Sequence, residues 1–144
     1  MQVYIFSSNT ITNIWAGIGA GMWAVQIYDK PEFKTRAMNM PIGSVGLIYC
    51  VENQSFTTPF IIKTTPEDRL ISDIWPEQWM LPFNIQPFGT PRKRIHKDQI
   101  NILPIVNESS KSWHHVLHIQ SNLAFSPTHI SEVDWEILIQ ELAD

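Results

Sequence analysis

The sequence predicts an α+β fold that is mostly β-structure and ends in a helix. Its 144 residues are 44% hydrophobic, which fits one globular domain with a substantial core, spanning residues 1–144. Short runs of β-branched and aromatic residues recur between Pro, Gly, Asn and Ser clusters, a pattern typical of successive strands. The best helical pattern is Ser131–Leu142, where Ser131 can cap the helix and the apolar residues form one stripe.

The predicted strands follow one another with short connections. The first run, Val3–Phe6, is β-branched and aromatic and ends in a polar cluster. Pro82–Phe88 alternates apolar and polar residues, so we expect one face of that strand to be solvated. Glu32–Met40 is predicted to be a short helix that stops at Pro41. The remaining strand predictions are Met22–Tyr28, Ser44–Val51, Pro59–Thr64 and Ile100–Val106.

A glycine-rich segment, Thr12–Val25, breaks this regular pattern. We expect it to be neither a stable helix nor a regular strand, because each interior glycine costs about 0.5–1 kcal/mol relative to alanine. Glycine instead lets the backbone approach a neighbour or a ligand closely. The segment indicates either a pocket wall for a flat ligand, built with Trp15 and Trp23, or a core tryptophan followed by a turn. Its glycines are Gly17, Gly19 and Gly21.

The charge distribution limits how the chain could bind nucleic acid. Charged residues make up 17% of the sequence and the net charge is −4, so such binding requires a local basic patch. The concentrated positive charge lies in the segment PRKRIHK, Pro91–Lys97, which we call the basic run. It indicates either a phosphate-binding patch or an ordinary solvated loop.

The single cysteine and the absence of targeting signals set further bounds. Cys50 excludes an intramolecular disulfide and a cysteine zinc site, and its apolar neighbours predict a buried strand residue. The sequence shows no signal peptide and no run of about 20 apolar residues, so we expect a cytoplasmic protein without a membrane partner.

Signatures of catalysis and of metal binding are weak. No G-x-S-x-G, H-E-x-x-H or P-loop motif is present. His114 and His118 have the spacing of two metal ligands on one helix face, but no nearby carboxylate or cysteine completes such a site. We therefore expect neither a metal nor a cofactor.

A second aromatic segment, Ser72–Phe88, leads into a predicted strand. It places Trp75 and Trp79 on either side of Pro76, which restricts the local backbone. Two tryptophans in such a loop could close over a flat base or plug the rim of the core. The residues themselves leave both interpretations open.

Four segments, covering nearly the whole chain in order, carry a resemblance to a known family. They are VYIF with its connection to NIWAG, KTRAMNMPIGSVGLIYC, IWPEQWMLPFNIQPFGTP, and SWHHVLHIQSNLAFSPTHISEVDWEILIQEL. In these segments the chain resembles the EVE domain of the PUA-like superfamily and, more distantly, YTH domains. The resemblance implies a mostly antiparallel or mixed open β-barrel with short helices and a C-terminal helix.

The resemblance to YTH domains also implies a binding site. YTH domains carry an Asn-Ile-Trp motif and a later Trp-rich loop, whose tryptophans form a cage for a methylated adenine. By this resemblance Trp15 is the first wall, Trp75 or Trp79 supplies the others, and Trp23 is a further candidate. The polar edge of the base would meet Ser7, Ser8, Asn9, Asn13 and the backbone near Ala16. The phosphate contacts would be Lys34, Arg36, Arg92, Lys93, Arg94 and Lys97.

The function implied is a non-catalytic module that binds a modified, methylated base in RNA or in single-stranded or flipped DNA. We expect a monomer or a weak dimer. One alternative is an ASCH-like amidohydrolase of modified nucleosides, which would need Lys34 or Lys63 near Thr57, Thr58 or Glu52. Another is a protein–protein interaction module with exposed tryptophans as interface anchors.

Overall fold

The computed structural model describes residues 1–119 and 121–144, over which eight strands form an open mixed sheet. Gln120, within the C-terminal segment of the resemblance, lies outside the described residues. The strands are β1 (Gln2–Ser8), β2 (Met22–Gln26), β3 (Val45–Cys50), β4 (Ser55–Ile62), β5 (Leu70–Ile71), β6 (Trp79–Pro87), β7 (Arg94–His96) and β8 (Thr128–His129). The order in the sheet is β2-β6-β4-β3-β1-β8, while β5 pairs with β6 and β7 with β4.

The sheet is mixed because β1 and β3 run parallel, whereas the other pairs are antiparallel. In the described part of the chain the edge strands β2 and β8 do not pair with each other. The α+β class is therefore confirmed, but the sheet does not close into a barrel.

Helices cover both faces of the sheet. They are α1 (Ile11–Ala20), α2 (Pro31–Met38), α3 (Pro104–Asn107), α4 (Trp113–Val116) and α5 (Glu132–Leu142), with 3₁₀ turns at Lys97–Ile102 and Ser121–Leu123. The predicted C-terminal helix is confirmed, and it begins with a capping box between Ser131 and Asp134. Of the described helices, none has the length and apolar character that crossing a membrane requires.

The prediction that Thr12–Val25 is not helical was wrong, because α1 forms its first half. The Thr10 side chain caps the start of the helix, and Gly21 ends it in a left-handed conformation with φ of 65°. The buried Ile14 packs into the core below. Caps and tertiary packing thus offset the cost of the interior glycines.

The prediction of a strand at Ile100–Val106 was also wrong. The segment forms the end of one 3₁₀ turn and the start of α3, with Pro104 at the first turn of the new helix. Ile100 and Leu103 are both buried, and their spacing of three places them on one face of a tight helix. A short apolar run of this kind does not distinguish a strand from a buried helix.

Two hydrophobic cores lie on opposite faces of the sheet. Alternate residues of β1 point to opposite faces, so Tyr4 and Phe6 enter one core and Val3 and Ile5 enter the other. The first core also contains Ile14, Trp23, Phe33, Cys50, Phe60, Phe83 and the two tryptophans of the aromatic loop. The second core contains Leu47, Phe56, Ile95 and the apolar stripe of α5. The prediction that Cys50 is a buried strand residue is confirmed.

Candidate functional site

A cavity of about 740 Å³ opens at the end of β1, beside the first core. This volume lies within the range of about 300–1,000 Å³ that is typical of small-molecule sites. The end of β1 and the start of α1 form one wall, and β2 forms another. Trp79 at the start of β6, Glu52 in the turn after β3, and the loop near His118 complete the lining.

The polar wall of the cavity follows from the way β1 turns into α1. The Ser8 hydroxyl donates to the Thr10 carbonyl over 2.8 Å, and the Thr10 hydroxyl accepts from the Asn13 amide over 3.2 Å. These bonds fix the chain reversal and the first turn of the helix. The side chains of Ser7, Asn9 and Asn13 line the cavity from this fixed backbone.

Gly17 sets the distance between α1 and the tryptophan on β2. A Cβ atom at Gly17 would lie 2.8 Å from the Met22 carbonyl oxygen and 2.9 Å from Cε3 of Trp23. The glycine is therefore required by the close approach of the helix to a buried indole. Gly19 has open space around it, so the same argument does not hold there.

Three tryptophans, Trp23, Trp75 and Trp79, form one packed group that we call the tryptophan cluster. Trp75 and Trp79 stack with ring centroids 4.2 Å apart and an interplanar angle of 15°. Trp23 meets both rings edge-on, at 5.6 Å from Trp75 and 5.4 Å from Trp79. Their exposed fractions are 1%, 3% and 5%, so the cluster belongs to the first core. Among the described residues that line the cavity, Trp79 is the one that belongs to this cluster.

A β-bulge in β6 determines where Trp79 lies. The pairing of β2 with β6 shifts between Trp23 and Val25, and Leu81 adopts a positive φ of 57° there. The extra residue brings Trp79 opposite Gln26, and both side chains line the cavity. A bulge commonly redirects side chains in this way beside functional sites.

Two indole N–H groups of the cluster have no partner among the described residues. Nε1 of Trp75 donates to the Asn13 carbonyl over 3.0 Å, which ties the aromatic loop to α1. Nε1 of Trp23 and Nε1 of Trp79 are buried without a hydrogen bond. An unpaired buried donor costs about 1–3 kcal/mol, so the N–H of Trp79, which lines the cavity, favours a ligand with acceptor atoms.

The charged groups of the cavity lining are acidic. Glu52 and Glu77 both line the cavity, and Oε1 of Glu52 accepts from the Ile11 amide over 3.1 Å at the start of α1. Phosphate groups would meet repulsion inside this cavity. Tyr4 and Tyr49 lie on strands and are not among the described residues that line the cavity. Burial raises the pKa of both hydroxyls, so both are protonated at neutral pH.

The predicted phosphate contacts on α2 already have partners. Lys34 forms an exposed ion pair with Asp68. Arg36 donates from Nη1 to the carbonyls of Asn122, over 2.8 Å, and Ala124, over 3.3 Å. Ala124 lines the cavity, so Arg36 holds the chain segment behind one cavity wall.

The predicted contacts of the basic run lie in the turn before β7, on β7, and at the start of the 3₁₀ turn that follows it. Arg92, Lys93 and Arg94 are exposed and Lys97 is half-buried. Nζ of Lys93 donates to the Ala143 carbonyl over 2.8 Å, which joins the run to the C-terminus. The Arg92 guanidinium lies over the Trp15 ring, 5.8 Å from its centroid.

The fold does not bring all of the predicted site residues together. Ser7, Ser8, Asn9, Asn13 and Trp79 line the cavity. Trp23 and Trp75 pack behind Trp79. Trp15 and Ala16 are not among the described residues that line the cavity. Ala16 packs against the first core, whereas Trp15 is 39% exposed.

Sequence reasoning missed the contributions of β2, of Glu77 and of the loop near His118. The sequence does contain a signal for β2. Successive side chains of a strand point to opposite faces, so a buried Trp23 places Ala24 and Gln26 on the face opposite to it. The loop near His118 carries no such signal, since it reaches the cavity through tertiary packing.

The residues considered for amide hydrolysis do not converge. Thr57 and Thr58 are buried, Lys63 is exposed, and Lys34 pairs with Asp68. Of the residues considered for this reaction, Glu52 is the one found among the described residues that line the cavity. Over residues 1–119 and 121–144, no group of three or more His, Cys, Asp or Glu side chains is arranged to hold a metal ion.

The chain has the fold of YTH domains. No family model and no curated protein matches it in sequence. The YTH domain of Zygosaccharomyces rouxii MRB1, in complex with N6-methyladenosine RNA, superposes with a TM-score of 0.64 at 12% identity, covering 96% of this chain and 84% of that one.

The YTH domain of Toxoplasma CPSF4 gives a similar result in two states. In complex with a 7-mer m6A-modified RNA, its TM-score is 0.56 at 14% identity, covering 92% of this chain and 95% of that one. In the apo form, the TM-score is 0.55 at 18% identity, covering 74% and 69%. Identities this low support a shared fold.

Proposed function

We propose that this chain, as a single domain, binds a modified base of RNA or DNA in the cavity and has no catalysis of its own. The observation that carries the proposal is that Trp79, backed by the rest of the tryptophan cluster, lines the same cavity as the polar residues Asn9 and Asn13. Two YTH domains of the same fold are in complexes with m6A-containing RNA. We therefore take N6-methyladenine as the first ligand to test.

In this proposal the base stacks on the cavity side of Trp79. No second ring fits between Trp75 and Trp79 at their centroid distance of 4.2 Å, so the pair acts as one aromatic wall. Stacking on an aromatic side chain contributes about 1–3 kcal/mol for any base. A methyl group adds apolar area that this wall removes from water.

The polar edge of the base is read by polar groups that line the same cavity. Asn9 and Asn13 provide donors and acceptors, and the Ser7 hydroxyl provides either. The unpartnered indole N–H of Trp79, a residue of the cavity lining, is a further donor for a ring nitrogen of the base. This combination of stacking and edge contacts is how flipped bases are recognised.

We further propose that the chain is an EVE-type member of the PUA-like superfamily. The four quoted segments support this assignment, because they occur in order over nearly the whole chain. The alternative of an amidohydrolase is not favoured by any cluster of the residues considered for it.

Calorimetric titration with nucleosides tests the function. We expect saturable binding of one modified nucleoside from a set containing N6-methyladenosine and 5-methylcytidine, with much weaker binding of its unmodified form. Trp79→Leu keeps an apolar side chain but removes the stacking surface, so it should weaken binding by about 5- to 100-fold. Trp113→Phe, in the second core, is the matched control and should bind as the wild type does. Equal binding by wild type and Trp79→Leu would exclude Trp79 as the wall.

A further inference from the structure

Trp15 is an exposed aromatic residue beside the cavity. Its side chain is 39% exposed, in contrast to the buried tryptophan cluster. Thr12, three residues earlier on α1, lines the cavity. Residues three apart on a helix lie on the same face with Cβ atoms about 5–6 Å apart. Trp15 therefore lies about one helical turn from the cavity, on the side of α1 that carries Thr12.

Arg92 completes a composite surface at this place, which we call the stacking patch. Its guanidinium lies over the Trp15 ring at 5.8 Å from the centroid, and both side chains remain accessible. The contact is a cation–π interaction between residues that are 77 positions apart in the chain, because the fold places the turn before β7 beside the Trp15 ring of α1. An indole and a guanidinium both offer flat faces on which nucleic-acid bases stack.

The loop that carries Arg92 is held firmly. The Thr57 hydroxyl lies 2.8 Å from the Lys93 carbonyl and 3.1 Å from the Thr90 carbonyl. The next residue, Thr58, is buried with a positive φ of 55° at a bulge in β4. A β-branched residue rarely adopts this conformation, so the surrounding packing must maintain it.

Charge separates the stacking patch from the cavity. Glu52 and Glu77 make the cavity lining acidic, whereas Arg92 and Arg94 are exposed cations of the basic run. A strand whose modified base enters the cavity must keep its phosphates outside. The favourable path for those phosphates leads over α1 toward the basic run.

We propose that Trp15 and Arg92 form a platform on which the nucleotide next to the bound base stacks, with its phosphate held by the basic run. The partner is therefore a single strand of at least two nucleotides, and the patch adds affinity that does not depend on the flanking base. This inference rests on the proposed function.

The test compares a modified nucleoside with a short single strand containing the same base. We expect Trp15→Ala to leave nucleoside affinity within twofold of wild type and to weaken binding of the strand by about 5- to 100-fold. Arg92→Gln should also weaken strand binding and reduce the slope of log affinity against log salt by about 1. Lys111→Gln, in the connection between α3 and α4, is the charge-matched control and should show neither change.

Three outcomes decide between this inference and the proposed function. If wild type binds the nucleoside but Trp15→Ala binds the strand unchanged, the platform is wrong and the cavity proposal stands. If Trp15→Ala weakens nucleoside and strand equally, Trp15 acts in the cavity and the platform is likewise wrong. If wild type binds neither ligand in any modified form, both proposals fail. Circular dichroism of each variant checks that the fold is retained.

Discussion

The molecule uses tryptophan in two different settings. In the tryptophan cluster, three rings pack against each other with at most 5% exposure, and Trp79 reaches the cavity. On α1, Trp15 is 39% exposed and the Arg92 guanidinium lies over its ring. The buried cluster stabilises the first core and forms part of the cavity wall, whereas the exposed Trp15 ring can contact a binding partner. Trp15 and Trp23 lie in one glycine-rich segment, yet the fold separates their roles.

The largest expected effect follows from the difference in burial. Trp23→Ala should lower the free energy of unfolding by about 3–5 kcal/mol, because it leaves a cavity in the first core. Trp15→Ala should lower it by about 1 kcal/mol or less, because the ring is partly exposed and loses a cation–π contact of about 0.5–1 kcal/mol. Urea unfolding followed by circular dichroism measures both values. Similar losses for the two variants would show that Trp15 is part of the core.

The second effect concerns the helix between these tryptophans. Gly17→Ala should lower the free energy of unfolding by about 1–3 kcal/mol, because the new methyl group collides with Trp23 and with a carbonyl. Gly19→Ala should raise it by about 0.4–1 kcal/mol, since that position is an open helical site. The same urea titration compares the pair. Stabilisation by Gly17→Ala would mean that α1 is not pressed against Trp23.

The smallest effect concerns the support of the stacking patch. Thr57→Val keeps the side-chain volume but removes the hydroxyl that holds Thr90 and Lys93, at a cost of about 0.5–1.5 kcal/mol. Hydrogen–deuterium exchange should become faster in the basic run. Thr128→Val, which loses the bond from a buried hydroxyl to the Val116 carbonyl at the far edge of the sheet, is the control and should leave exchange in the basic run unchanged. Unchanged exchange in Thr57→Val would show that other contacts hold this loop.

The parts of the fold that sequence predicted are those with strong local signals. Helix α5 has a cap and an apolar stripe, and the strand around Cys50 is a continuous apolar run. Helix α1 was missed because its glycines oppose a helix locally, and the caps and Trp23 outweigh them only in the folded chain. Local propensity does not record such tertiary contacts.

The site was predicted only in part, because tertiary contacts also decide which side chains reach the cavity. The polar cluster Ser7–Asn9 follows the apolar run Val3–Phe6 directly, so its position at the end of a strand could be foreseen. Which tryptophan faces the cavity depends on the bulge at Leu81, and a bulge has no clear mark in this sequence. The contact of Arg92 with Trp15 joins two distant segments and depends on the sheet order.

The most direct test of the account observes the indole N–H groups while the modified nucleoside is added. The chain has six tryptophans, and each gives one indole signal in a proton–nitrogen NMR spectrum. We expect the signal of Trp79, which lines the cavity and whose N–H group lacks a partner among the described residues, to shift in a saturable way, while that of Trp15 stays in place. A shift of the Trp15 signal with that of Trp79 unchanged would place the base outside the cavity and contradict the account.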